Sequence, residues 1–192
     1  RQTQPSFDLT DAASIQTRAQ ALAAEGPFDI IIDATGQLTI DGVGPEKSLG
    51  ALQADRLMRQ FEINTVGPSL LLRHFSALLV KGPAVYGKLS ARVGSISDNQ
   101  KGGWYGYRAA KAALNMVLQT AAIELQRRQP GWRIVALQPG TVRSRLSDPF
   151  SSGVPQLLEP DESVQGMLAA LRALPAVSGA QFIDYRGQSI GW

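Results

Sequence analysis

The chain reads as an α/β fold, a parallel sheet layered with helices, on three observations. Short apolar runs rich in β-branched residues alternate with longer stretches of helical spacing, which is the pattern of successive βαβ units. Two of the runs, Asp29-Ile30-Ile31-Ile32-Asp33 and Arg133-Ile134-Val135-Ala136-Leu137, are almost continuously apolar, as expected of parallel strands covered on both faces. The length of 192 residues suits one domain over 1–192, large enough to bury about 70% of its unfolded surface.

Taken in order, the candidate strands are Ser6–Leu9, Asp29–Asp33, Lys88–Val93, Arg133–Gln138 and Gln181–Tyr185. The first helix is capped by Thr10 or Asp11 and runs to about Ala24, where Gly26-Pro27 stops it. A second spans roughly Ala54–Leu79, a third Tyr107–Arg128, and a last runs from near Asp161, after Pro160, to about Leu174. Gly42–Leu49 and Ser147–Pro160 are loops rich in Gly, Pro and Ser. The longer one suits either a flap over a site or a plain connection.

Composition removes several function classes. No run approaches the roughly 20 apolar residues of a membrane span, since Arg73 and His74 interrupt the stretch Leu70–Val80. With no cysteine and a single histidine, His74, disulfide scaffolds, thiol nucleophiles and Cys- or His-clustered metal sites drop out, and no metal is expected. The net charge of +3 is scattered, and its densest cluster, Arg127-Arg128, falls at a helix end where cations complement the dipole; no nucleic-acid partner follows. With no signal-peptide pattern at Arg1–Pro5, the expected location is cytoplasmic.

Two tyrosines lie near the start of the third helix, Tyr105 and Tyr107, but only Tyr107 has chemistry one turn on, at Lys111. A phenol titrates near pH 10, and a neighbouring ammonium is expected to bring it toward working range. Alone this pair is a weak motif. Another local feature is Asn64, four residues before Pro68. Proline has no N–H to give the Asn64 carbonyl, so a kink is expected there. The apolar rows Ala109-Ala113-Val117-Ala121-Leu125 and Ala110-Leu114-Leu118-Ala122 make a band wider than one core face needs.

The run Gly103-Trp104-Tyr105-Gly106-Tyr107-Arg108-Ala109-Ala110-Lys111-Ala112-Ala113-Leu114-Asn115 closely resembles the active-site helix of the short-chain dehydrogenase/reductase family. The resemblance continues in order along the chain. Asp8-Leu9-Thr10-Asp11 looks like the family's adenine-contacting turn, and Asp33-Ala34-Thr35-Gly36 stands where it has Asn-Asn-Ala-Gly, keeping only the glycine. Asn64 matches the helix asparagine, and Pro139-Gly140-Thr141-Val142 is similar to the turn that receives the nicotinamide carboxamide. Arg92-Val93-Gly94-Ser95-Ile96 and Gly102-Gly103-Trp104-Tyr105 look most like the branch of the C-factor signalling protein and the sniffer-type carbonyl reductases.

What the resemblance implies is a Rossmann-like doubly wound sheet and an oxidoreductase that interconverts a carbonyl and an alcohol with NAD or NADP. Tyr107, Lys111 and Asn64 would form the catalytic set, with a water on the Asn64 carbonyl relaying protons. Asp8, Leu9, Ala34, Gly36, Tyr107, Lys111, Pro139, Gly140 and Val142 would hold the cofactor. A small carbonyl or alcohol is the implied partner, with a homodimer or homotetramer built through helices 54–79 and 107–128. Two departures stand out. The family's serine falls at Ala91, leaving Ser90, Ser95 or Ser97 as substitutes, or none. No G-x-G-x-x-G turn occurs, so the chain either binds no dinucleotide or lacks its first βαβ segment; the rest of the sequence favours the second. The competing reading is a cofactor-binding or signalling protein with little or no turnover.

Overall fold

The computed structural model describes residues 7–144, 146, 147 and 157–192. Four parallel strands, β1 (Ile30–Asp33), β2 (Ala84–Leu89), β3 (Trp132–Gln138) and β4 (Gln181–Asp184), form one sheet in the order β1-β2-β3-β4. The helices are α1 (Ala12–Leu22), α2 (Ala54–Phe61), α3 (Gly67–Phe75), α4 (Tyr105–Arg128) and α5 (Pro160–Ala173). The alternation read from the sequence is therefore the parallel, helix-layered architecture expected.

Strand parity assigns the two faces. Register places Tyr86 beside Ile31 and Ile134, and Lys88 beside Asp33 and Ala136. On this face Tyr86, Ile134, Ala136 and Phe182 pack with Leu72, Leu114, Leu118 and Ala122 from α3 and α4. On the other, Val85, Val135, Leu137 and Ile183 pack with Met167 and Leu171 of α5. Cover of β1 is incomplete: Ile30 and Ile32 are each 37% exposed, against the expectation of burial on both faces. They flank Val85 and Gly87 on the α5 side, where the apolar contacts of α5 centre on β2, β3 and β4.

Several element boundaries differ from the sequence reading. Phe7 and Asp8 lie in no strand; Thr10 donates its N–H and hydroxyl to the Asp8 carboxylate, a local turn that competes with extended pairing. Ser6 lies outside the described residues. The strand expected at Lys88–Val93 is Ala84–Leu89, because the apolar run after Gly82-Pro83 does the pairing, while Arg92–Gly94 coils into a 3₁₀ turn. The third helix begins two residues early, at Tyr105. Of the two candidate caps for α1, Asp11 is the one used, accepting from the Ala13 N–H at 2.9 Å. The expected loop Ser147–Pro160 lies largely outside the described residues, and Pro160 begins α5.

The long helix expected over Ala54–Leu79 is interrupted where Asn64 and Pro68 foretold a distortion. Glu62–Val66 forms a π turn between α2 and α3, and Ser76–Leu78 closes the segment as a 3₁₀ turn. A π turn widens the helix by one residue just ahead of the proline that has no N–H to give. Just beyond it, Gly67 makes room for the N-terminal turn: a Cβ there would lie 2.5 Å from Leu9 Cγ and 2.6 Å from the Leu9 carbonyl oxygen. Gly67→Ala is therefore expected to destabilise the fold by about 1–2 kcal/mol in urea unfolding, the overpacking outweighing the gain in helix propensity.

Candidate active site

The C-terminal ends of β1 and β2, the π turn and the start of α4 converge on one buried lysine. Lys111 is 3% exposed, Tyr107 is 7% exposed, and the Lys111 Nζ lies 5.6 Å from the centre of the Tyr107 ring. The ammonium donates to the Leu89 carbonyl at 3.3 Å. Two glycines make its channel. A Cβ on Gly94 would lie 2.8 Å from Lys111 Cβ, and one on Gly36 would lie 3.4 Å from Nζ and 3.0 Å from Asn64 Oδ1. Gly36 also has φ +138°, a conformation that side chains resist.

Asn64 is fully buried and its side chain is fully used. It accepts from the Gln37 N–H at 3.0 Å and donates to the Gln37 carbonyl and to Gln60 Oε1, each at 2.8 Å. Gln60 in turn donates to the Leu38 carbonyl at 3.1 Å. The asparagine thus ties the π turn to the segment after Gly36. Thr65 ties the same turn to α4 through the Ala110 carbonyl at 2.8 Å.

The start of α4 is held from a distance. Its N-cap, Trp104, sits at φ 54° with no side-chain cap. Buried Glu46 supplies the acceptors instead: its carbonyl takes the Trp104 N–H and its carboxylate the Gly106 N–H at 3.0 Å, an anion at a helix N-terminus. Arg108 gathers the carbonyls of Gly102, Gly103 and Val93, and the Trp104 ring meets Tyr107 edge-on, with centroids 6.4 Å apart. Glu46, Arg108, Gln60 and Asn115 were not singled out from the sequence. Glu46 lies in a loop whose only signal was its glycines and prolines, whereas Asn115, one turn past Lys111 on an apolar helix face, was a visible anomaly.

The alternatives to a serine at Ala91 are engaged elsewhere. The Ser90 hydroxyl donates to Asn115 Oδ1 at 2.7 Å. Ser95 Oγ accepts the Asp98 N–H at 3.0 Å and lies 3.3 Å from Ser97 Oγ; both stabilise the loop after the 3₁₀ turn.

The titration of the pair differs from expectation. Burial pushes the Tyr107 phenol up to about 12, so it is not lowered by Lys111. Burial also pushes the Lys111 ammonium down to about 7, helped by the Lys88 cation and opposed by Asp33. A lysine only partly charged at neutrality, lying over the ring, gives a phenolate little support.

Beside the pair opens a cleft of about 910 Å³ lined by Asp8, Leu9, Thr10, Gly36, Arg59 and Ile63, among others. Its size suits a cofactor-sized ligand, and the glycine at φ +138° lets backbone approach a ligand closely. Of the expected cofactor residues, Asp8, Leu9 and Gly36 line this wall. Ala34 precedes Gly36 in the same turn but is not in the wall. Lys111 adjoins it through Gly36, with the Tyr107 ring beside the Lys111 ammonium. Pro139, Gly140 and Val142 follow β3 and lie apart from the cleft wall, their turn held by Ser163 donating to the Pro139 carbonyl at 2.6 Å and by the Val142–Leu158 bridge.

The family model for short chain dehydrogenases matches residues 3–154. The chain belongs to the short-chain dehydrogenase family. It is an oxidoreductase of the NAD(P)-dependent class. It is 33% identical over 171 residues to the C-signal of Myxococcus xanthus, covering 87% of this chain and 94% of that protein. It is also 31% identical over 190 residues to 1-hydroxy-2-glutathionyl-2-methyl-3-butene dehydrogenase of Rhodococcus sp. (strain AD45), covering 98% and 80%. A putative short-chain dehydrogenase/reductase from Burkholderia multivorans, solved with bound NADP, superposes with a TM-score of 0.82 at 28% identity, covering 98% of this chain and 76% of that one. Membership of this family and likeness to the C-signal agree with the resemblance read from the sequence. No helix among the described residues is long and apolar enough to cross a membrane.

The Lys111 value yields a stability test. The unfolded chain holds that proton to its ordinary 10.5 and the folded protein releases it near 7. Between those values the unfolded state binds more protons, so stability rises with pH. Wild-type protein is expected to gain more than about 1 kcal/mol over Lys111→Met between pH 6.5 and 9.5 in urea unfolding; parallel pH profiles would refute the buried, titrating lysine.

Proposed function

We propose that this chain interconverts a carbonyl and an alcohol by hydride transfer, with Tyr107 as proton donor and acceptor. The observation that carries this reading is the stacking of buried Lys111 over Tyr107, beside the Gly36 turn and Asn64. A relative named as a dehydrogenase of a 1-hydroxy compound supports alcohol chemistry. NAD or NADP would be held by Asp8, Leu9 and Gly36 of the cleft wall, with Ala34, Pro139, Gly140 and Val142 contributing from outside it, and would supply or accept the hydride.

In the reductive direction the Tyr107 hydroxyl gives its proton to the carbonyl oxygen as the carbon gains hydride. The phenolate left behind is reprotonated from the Lys111 Nζ, for which a value near neutrality is favourable. The Asn64 backbone carbonyl, to which Pro68 has no N–H to give, holds the water that restores the lysine proton. Tyr107 buried and un-ionised suits donation; the oxidative direction requires the phenolate and is favoured at high pH.

Ala91 supports a second reading, a protein that binds cofactor and signals with little turnover, as does similarity to the C-signal. Without a serine, no hydroxyl at that position holds the substrate oxygen, a loss of about 10²–10³ in rate by analogy with oxyanion donors. With the intact protein, NAD(P)H oxidation by a panel of aldehydes and ketones separates the two readings. Tyr107→Phe is expected to lower kcat/KM by about 10²–10⁴, and Ala91→Ser to raise kcat at least about tenfold. Bound cofactor with no turnover in wild type or in Ala91→Ser would favour the signalling reading.

The protein acts in this reading as a cytoplasmic homodimer or homotetramer through helices 54–79 and 107–128. Met116 at 66% exposure and Ile123, two turns apart on one face of α4, with Met58 at 71% and Val66 also exposed, support it as apolar side chains that a partner copy would cover. Met116→Lys combined with Ile123→Lys is expected to give a monomer in light scattering; an unchanged oligomer would place the interface elsewhere.

A further inference from the structure

A second lysine lies buried beneath the first, and nothing in the proposed chemistry uses it. Lys88 is 1% exposed and stands directly opposite Asp33 in the β1–β2 register. Its Nζ reaches Asp33 Oδ1 at 3.0 Å, Thr35 Oγ1 at 3.2 Å and the Thr35 carbonyl at 2.5 Å. Asp33 Oδ1 also accepts from the Thr35 N–H at 2.8 Å and the Thr35 hydroxyl at 2.6 Å. The turn is therefore knotted at its root by Lys88 and held at its far end by Asn64 on Gln37. Gly36, between the two clamps, is the residue against which the Lys111 Nζ rests.

We propose that Lys88 is a positioning residue for Lys111: it pins the Asp33–Gly36 turn against that side chain and holds a second buried ammonium beside it. A purely structural role is a poor account of an internal ion pair, because a well-packed apolar pair is often as stable. Charge placement gives the pair a task. The groups bearing on Lys111 are Lys88 from β2, which disfavours its cation, and Asp33 from β1, which favours it, with burial acting in the same sense as Lys88. Tyr86 shares the β2 face and feels Asp33; Tyr107 is the stacked neighbour on α4; Asn64, from the π turn, is uncharged. Arg92, on the 3₁₀ turn, is committed to Asp98 and Asp184. Lys88 thus helps keep Lys111 ready to release its proton near neutrality.

The inference rests on reading Tyr107 and Lys111 as the proton-transfer pair, but its test needs no turnover. The chain is labelled with ¹³Cε-lysine, the Lys111 resonance is assigned by its loss in Lys111→Met, and its titration midpoint is followed without cofactor or substrate. Replacing the ion pair by Asp33→Asn with Lys88→Met is expected to raise the Lys111 midpoint by roughly half a pH unit or more, since the larger, repulsive neighbour is gone. A folded double variant with an unmoved midpoint overturns the proposal and leaves the pair a structural element only. Should the double variant fail to fold, Asp33→Asn alone carries the test: loss of the anion is expected to lower the midpoint, and an unmoved midpoint overturns the proposal. An inactive Tyr107 in kinetic assays would sink the functional reading without touching this titration.

Discussion

Everything around the site follows from placing an ammonium away from bulk solvent. Among the described residues Lys111 finds one carbonyl within hydrogen-bonding distance, that of Leu89, and the cost of burying it is what brings its titration near neutrality. Such a side chain needs a channel narrow enough to exclude bulk solvent and wide enough to admit four methylenes. Gly36 and Gly94 make that channel by having no side chains of their own. The strand ends and the 3₁₀ turn after β2 are drawn in until backbone lines the lysine on two sides.

Polar bonds across the core then fix the walls. Asn64 joins the π turn to Gln37, Thr65 joins it to α4, and Ser90 joins the end of β2 to Asn115. These groups are buried, so breaking one partner strands the other at about 1–3 kcal/mol. Such bonds discriminate between neighbouring registers better than apolar contacts, which tolerate sliding. Packing of α3 and α4 on the sheet supplies cohesion, and the polar ties supply the alignment that chemistry at Tyr107 demands.

The alternation of strands and helices was legible because hydropathy has the same period as the structure that buries it. The Tyr107–Lys111 pair was legible too, being local to one helix. What escaped depends on distant register. Nothing near Lys88 announces that Asp33, fifty-five residues away, will face it; a lysine in an apolar run looks like a strand end, and the strand was accordingly placed to begin there. Glu46 capping α4 from a loop is invisible for the same reason. The phenol value was misjudged because pairing with an ammonium can be read from spacing, whereas desolvation of both partners cannot. The distortion at Asn64 was foreseen from Pro68, since a missing N–H is a property of one residue.

That distortion also sets the phase of the helices on either side of it. One added residue turns everything after it by about 100° about the helix axis. Gln60, buried before the π turn, and Leu71 and Leu72, buried after it, therefore belong to two angular frames that the turn brings to a common side. A chain one residue shorter between Phe61 and Gly67 could close an unbroken α-helix there. It would swing Leu72 off the sheet, or else carry Asn64 away from Gln37. The extra residue lets one continuous rod serve the core with one end and the site with the other.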